Sequence, residues 1–165
     1  MIFLTVGSEL VFNRMVKAVD EWAADNQTVQ ILAQTGKSND SDYRPQNMEV
    51  KSVISPAEYT QYCTNADFLI AHAGMGSIIT ALTTGKPIVI MPRRAKFRET
   101  RNDHQVATAK RFASREGIFV ALNEDAVASA LQEAQDFVKL GKMQVTGAFA
   151  PQEFTDKLAQ YIASC

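Results

Sequence analysis

The 165-residue chain carries 17 Lys and Arg against 18 Asp and Glu, a formal net charge of −1, with 46% hydrophobic and 21% charged residues. This length suits one domain with a substantial core and is short for two, so residues 1–165 are read as a single domain. The balanced charge provides no field for nucleic acid, and no stretch approaches the ~20 apolar residues of a membrane span.

Ile2–Val6 is a nearly continuous apolar run ended by Gly7, the pattern of a buried parallel strand. No basic leader precedes it, so no signal peptide is expected, and the chain is placed in the cytoplasm or held at a membrane by another component. Val11–Ala23 predicts a helix whose inner face holds Phe12, Met15, Val16, Val19, Trp22 and Ala23. Thr28–Ala33 and Met48–Ile54 predict strands on either side of a polar loop containing Pro45. Ser55-Pro-Ala-Glu58 predicts a helix start, with Ser55 as cap, Pro56 in the first turn and Glu58 closing a capping box; the helix ends near Asn65. Strand Asp67–Ala71, helix Ser77–Thr84 closed by Gly85, and strand Pro87–Met91 follow. Asp103 is placed to cap a helix with Val106, Ala109, Phe112 and Ala113 inside. Then come strand Ile118–Ala121, helix Asp125–Val138, a loop over Gly141–Ala150 and a last helix over Pro151–Ala163. That last helix has Phe154, Leu158, Tyr161 and Ile162 on one side, to cover the chain's own sheet or to pack on a partner. Cys63 and Cys165 form no spaced pair, which predicts two reduced thiols and neither a disulfide nor a metal site.

Strands that alternate with helices require crossover connections. The predicted fold class is therefore α/β: one Rossmann-like domain, a mostly parallel six-stranded sheet, helices on both faces and a ligand beyond the carboxyl ends of the strands. Chemistry concentrates at those ends. His72-Ala-Gly-Met-Gly-Ser77 joins a strand to a helix, where unpaired N–H groups and the helix dipole favour an anion. On this reading Gly74 and Gly76 remove the Cβ atoms that keep a phosphate off the backbone, and Ser77 adds a hydroxyl. The alternative is a tight turn whose glycines serve only a left-handed backbone. Gly7-Ser8 repeats the device, and strands one and four flank the switch point in the usual order, so two turns at one crevice suit a nucleotide with two phosphates. The dinucleotide fingerprint is absent, because Gly74-Met-Gly76 runs into Ser-Ile-Ile and no acidic residue ends the next strand. Arg93, Arg94, Lys96, Arg98 and Arg101 crowd one ligand-side loop, either as a solvated basic run or as a cationic rim for a phosphorylated substrate or an anionic membrane. His72 and His104 both fall in ligand-side loops without metal-ligand spacing.

With His72–Ser77, Gly85-Lys-Pro87, Asp103-His-Gln105 and Thr5-Val-Gly-Ser8 in view, the chain resembles the C-terminal, donor-binding domain of family 28 glycosyltransferases, half of a GT-B fold. The likeness runs from Met1 to about Val138. It is strongest to single-domain catalytic subunits of two-component enzymes, of the PssE exopolysaccharide type and the dolichol-linked GlcNAc type. The resemblance implies an inverting hexosyltransferase that takes glucose or GlcNAc from a UDP-sugar without a metal or other cofactor. Its Gly7-Ser8 turn and its Gly74, Met75, Gly76 and Ser77 turn would hold the pyrophosphate. Val53 or Ile54 would lie near uracil, Gln105 would reach the sugar with Asp103 and His104 beside it, and Arg93 would join the donor site. His72 is the local candidate for a catalytic base. The partners implied are a membrane-anchored acceptor-binding subunit of the PssD type and a lipid-linked glycan acceptor. Two positions depart from the family pattern: Thr80 stands where a ribose-binding glutamate is common, and Thr108 where an asparagine is common. A non-catalytic nucleotide-sugar-binding regulator is the alternative reading.

Overall fold

The computed structural model describes residues 1–7, 10–37, 39–141 and 152–164, apart from the Phe154 side chain. Ser8, residues 142–150 of the expected loop, Pro151 and Cys165 lie outside the described residues. Chain order is β1 Ile2–Thr5, α1 Asn13–Asp25, β2 Ile31–Gln34, β3 Glu49–Lys51, α2 Pro56–Asn65, β4 Leu69–His72, α3 Met75–Thr84, β5 Ile88–Met91, α4 His104–Phe112, β6 Ile118–Val120, α5 Val127–Leu140 and α6 Gln152–Ala163. Short 3₁₀ turns at Ala95–Phe97 and Glu124–Ala126 precede α4 and α5.

The six strands form one sheet in the order β3-β2-β1-β4-β5-β6, and every neighbouring pair is parallel. Strands β1, β2 and β5 are buried at every residue because helices cover both faces, which is why they read as apolar runs without alternation. One core packs α1 and α5 on the sheet through Phe12, Met15, Val19, Trp22, Val127 and Leu131. The other packs α2, α3 and α4 through Cys63, Ile78, Ala81, Leu82 and Ala109. Each fully buried Leu, Ile or Phe here stabilises the domain by about 1.5–3 kcal/mol.

The capping box at α2 is present. Ser55 Oγ accepts the Glu58 N–H at 3.2 Å, and the Glu58 carboxylate accepts the Ser55 N–H at 2.8 Å. Gly85 closes α3 at φ 65°, in the left-handed region. Three local expectations change. Strand β3 is only Glu49–Lys51, an exposed edge strand, and the remainder of the expected strand, through Ile54, bends out at the carboxyl end of the sheet. Asp103 occupies the N-cap position of α4 but its carboxylate accepts the Ala95 N–H at 2.9 Å in place of a helix N–H. Ala113 is exposed beyond α4, and the helix buries Gln105 with Ala109. Asp20, 2% exposed on α1, holds the polar loop to the domain by accepting Tyr43 Oη at 2.8 Å and the Asn47 N–H at 2.7 Å.

Candidate functional site

At the carboxyl edge, on the α2–α3 side of the sheet, lies a cleft of about 470 Å³. Thr5 and Gly7 enter it from the end of β1, Gln34 from β2, and His72 from β4. Val53, Ile54, Ser55 and Pro56 form one wall with Tyr59 and Thr60 of α2, and Gly76, Ser77 and Thr80 of α3 form another. The strand order puts β1 beside β4, so the two glycine turns do face one crevice.

The two glycines of the second turn serve different ends, and neither has positive φ. Gly74, at φ −90° and ψ 140°, has a backbone that any residue adopts. A Cβ there would lie 2.4 Å from His72 Nε2 and 2.9 Å from Cδ2, so glycine is required by the imidazole packed on it. Gly76 faces open space: a Cβ would meet nothing within 4 Å. Gly7 does need the left-handed region, at φ 86°, and a Cβ there would meet His72 Cε1 at 3.3 Å. The His72 ring is thus seated between the two turns. Helix α3 starts without a side-chain cap, and the N–H groups of Met75, Gly76 and Ser77 make no hydrogen bond among the described residues. Those donors and the dipole behind them give the cleft a positive end.

Burial, assisted by the nearby Arg93 charge, pushes the His72 imidazole down to about 4. The ring is therefore neutral near pH 7, and its buried Nδ1 has no partner among the described residues. A group this weakly basic is a poor proton acceptor at neutral pH and suits the role of a neutral N–H donor. Beside it, Thr5 Oγ1 donates to Gln34 Oε1 at 2.7 Å. Gln34 Nε2 donates in turn to the carbonyls of Gly7 at 3.0 Å and Ser52 at 3.1 Å. This buried network locks the Gly7 turn to the segment that carries Val53 and Ile54. Sequence reasoning missed it, although a polar residue closing each of two apolar strands was the available signal. Tyr59 was not foreseen as a cleft residue either, whereas Thr80, noted for standing where a ribose-binding glutamate is common, does line the cleft. Burial raises the Tyr59 phenol above its ordinary value, with the hydroxyls of Thr80 and Ser77 against it.

The basic loop after β5 is corrected most. Arg93 is no rim cation: it is 4% exposed and lies over the Phe12 ring. Its guanidinium donates to the carbonyls of Val6 at 2.9 Å, Leu10 at 2.6 Å and Val11 at 2.8 Å. Arg93 therefore braces the loop that carries Gly7 from below. Gln105 is also buried, and its Oε1 accepts the Arg93 backbone N–H at 3.0 Å. Asp103 and His104 are exposed at the start of α4, where His104 Nδ1 meets Asn102 Oδ1. The structure thus brings Gly7, Ile54, His72, Gly76 and Ser77 into one cleft. Gly74 and the exposed Met75 border it, Arg93, Asp103, His104 and Gln105 do not line it, and Ser8 lies outside the described residues. Among the described residues no group of three His, Cys, Asp or Glu is placed to hold a metal ion.

Compared directly with curated protein sequences, the chain has no significant match. Solved structures match at the level of fold. The glycotransferase of kitacinnamycin superposes with a TM-score of 0.62 at 21% identity, over 84% of this chain and 36% of that one. ALG13, solved by NMR, gives 0.61 at 17% identity, over 95% of this chain and 93% of that one. Acinetobacter baumannii MurG gives 0.57 at 18% identity, over 82% and 41%. This chain therefore spans well under half of the first and last of these, and its single all-parallel domain corresponds to half of a GT-B fold. The sequence profile of the glycosyltransferase family 28 C-terminal domain matches residues 1–162, and the chain belongs to that family.

Proposed function

We propose that this chain is the donor-binding, catalytic subunit of an inverting glycosyltransferase. It takes a UDP-sugar and acts with a separate membrane-anchored chain that presents a lipid-linked glycan. The observation that carries the reading is the cleft, where an uncapped helix N-terminus with open space at Gly76 faces the Gly7 turn across the neutral His72. The pyrophosphate sits on the free N–H groups of Met75, Gly76 and Ser77, with His72 as an uncharged donor. Uracil packs at the apolar end formed by Val53, Ile54 and Pro56, and the hydroxyls of Thr80 and Tyr59 meet the ribose in place of a carboxylate. An acceptor hydroxyl attacks the anomeric carbon from the face opposite UDP, and the bond to the β-phosphate oxygen breaks with inversion. The α3 dipole and its N–H groups stabilise the charge that develops on the leaving UDP. In this scheme the attacking hydroxyl loses its proton to a base on the partner, and His72 serves the pyrophosphate as a neutral donor.

A second chain is supported by exposed apolar residues at the cleft mouth, Val53 and Met75. Helix α6 offers a further docking face, with Leu158, Tyr161 and Ile162 exposed. Among the described residues no helix is long and apolar enough to cross a membrane; the partner is assigned the anchor as part of this proposal. The test is calorimetry with UDP, UDP-glucose and UDP-GlcNAc, then transfer to membrane lipid by this chain alone and with its candidate partner. UDP binding with transfer only in the pair is the expected result. Binding without transfer in either case would reassign the chain to donor-binding regulation, and absence of binding would overturn the donor site itself.

A further inference from the structure

On the opposite, α1 side of the same carboxyl edge lies a patch that the donor cleft does not use. Three large apolar residues are exposed there, each in a loop that follows a strand: Leu10 after β1, Phe97 after β5 and Leu122 after β6. Leu10 and Phe97 share a depression of about 330 Å³ with Arg14 and Arg98. Leu122 is tied to the same place, because its carbonyl accepts Arg94 Nη2 at 2.8 Å. Arg14 holds the cluster together. Its guanidinium lies 4.8 Å from the Phe97 ring centre and bridges Glu99 at 2.9 Å and Glu124 at 2.7 Å. That bridge engages both nearby glutamates, and its single positive charge offsets one of them. Asp103, the other acid of the loop, is engaged by the Ala95 N–H. The cations further out are not neutralised in this way. Lys96, Arg98 and Arg101 are exposed and form no ion pair among the described residues. Lys96 Nζ sits 4.6 Å from the Phe97 ring centre, so charge and apolar surface adjoin. Arg98 is held at φ 58°, the one non-glycine residue with positive φ among those described, at the tip of the loop. There it closes the Ala95–Phe97 turn, its N–H donating to the Ala95 carbonyl at 2.9 Å.

We infer that this patch docks directly on an anionic lipid surface. Phe97, Leu10 and Leu122 enter the headgroup boundary, and Lys96, Arg98 and Arg101 contact lipid phosphates. Apolar tips ringed by cations, on a protein whose net charge is −1, match an interface that is apolar inside and negative outside. Docking by this edge leaves the cleft, on the other face of the sheet, open beside the membrane. The inference stands independently of the donor assignment, since none of these residues lines the cleft.

The test is flotation of the full chain with vesicles of phosphatidylcholine alone or mixed with phosphatidylglycerol. Binding is expected to the mixed vesicles only, and to decline with added salt. Removing one cation should weaken binding about fivefold, so Lys96→Glu with Arg98→Glu should weaken it at least about 25-fold. Phe97→Ser with Leu122→Ser should reduce binding at low salt while leaving the charge dependence in place. UDP affinity and the urea midpoint of both double variants should match the parent, which separates loss of docking from loss of fold. The inference is overturned if the parent does not float with anionic vesicles, or if the charge-reversed variant floats as well as the parent. It is equally overturned if the parent binds soluble polyglutamate as tightly as the mixed vesicles and Phe97→Ser with Leu122→Ser leaves flotation unchanged, which would assign the patch to an acidic protein.

Discussion

Replacing Gly74 by alanine isolates the contact that organises the cleft. The new methyl carbon would lie 2.4 Å from His72 Nε2, a full ångström inside ordinary contact, so the imidazole must move. It has little room, because the Gly7 turn closes its other side. Overpacking of this kind costs about 1–3 kcal/mol, and the confinement of the ring favours the upper half of that range. Alanine also reduces the entropy of the unfolded chain at a backbone geometry it tolerates, which returns about 0.4–1 kcal/mol. The net expectation is a loss of about 2 kcal/mol for Gly74→Ala. Urea unfolding reads that loss, and UDP calorimetry should show binding weakened with it, because His72 shifts across the pyrophosphate site. The same substitution in a His72→Ala background meets no ring and should be neutral or stabilising by up to about 1 kcal/mol, a coupling of about 2–3 kcal/mol in the double-mutant cycle. Gly76→Ala is the control. Its methyl enters open space and leaves stability unchanged or slightly raised, yet it should lower UDP affinity by standing where the phosphate approaches. If Gly74→Ala is as costly without His72 as with it, the glycine is not there for the imidazole and the account of the turn fails.

Three further outcomes are expected. His72 is held near 4 in the fold against 6.5 when free, so the unfolded chain binds its proton first as the pH falls. The His72 contribution is intact above about pH 6.5, and stability falls by about 3 kcal/mol by pH 4, a slope that His72→Gln should flatten in a pH series of urea midpoints. Arg93→Met strands the carbonyls of Val6, Leu10 and Val11 and should destabilise the domain by about 3–5 kcal/mol, with Arg93→Lys restoring little because one ammonium lacks the planar fork. A full rescue by lysine, measured by thermal unfolding, would refute the bracing role. Thr80→Val removes one hydroxyl from the cleft wall and should weaken UDP by about 5–10-fold while barely affecting 2′-deoxy-UDP. Equal losses for both ligands would place the ribose elsewhere.

What the chain's own letters determined was local. Apolar runs of four or five residues marked β1, β4 and β5 because strands covered on both faces must be apolar on both sides. Ser55 and Glu58 marked the start of α2, and Gly85 the end of α3, because capping and left-handed termination act within one turn of chain. The apolar stripes of α1 and α5 named their buried faces for the same reason. Alternation of these elements implied parallel order, and that order alone brought the Gly7 and Gly74–Ser77 turns together. Tertiary structure decided the rest. Arg93 in a run of cations reads as a solvated charge, and only the fold sets it beneath carbonyls 82–87 residues away. Gln105 reads as a ligand-side amide, yet its oxygen serves the Arg93 backbone. Gly74 reads as conformational freedom, yet its backbone is ordinary and its value lies in the space it leaves to His72. In each case the deciding partner is not legible from the residue's own pattern. A hydrogen bond or a steric contact is set by where side chains come to rest in space, and sequence periodicity carries no record of that.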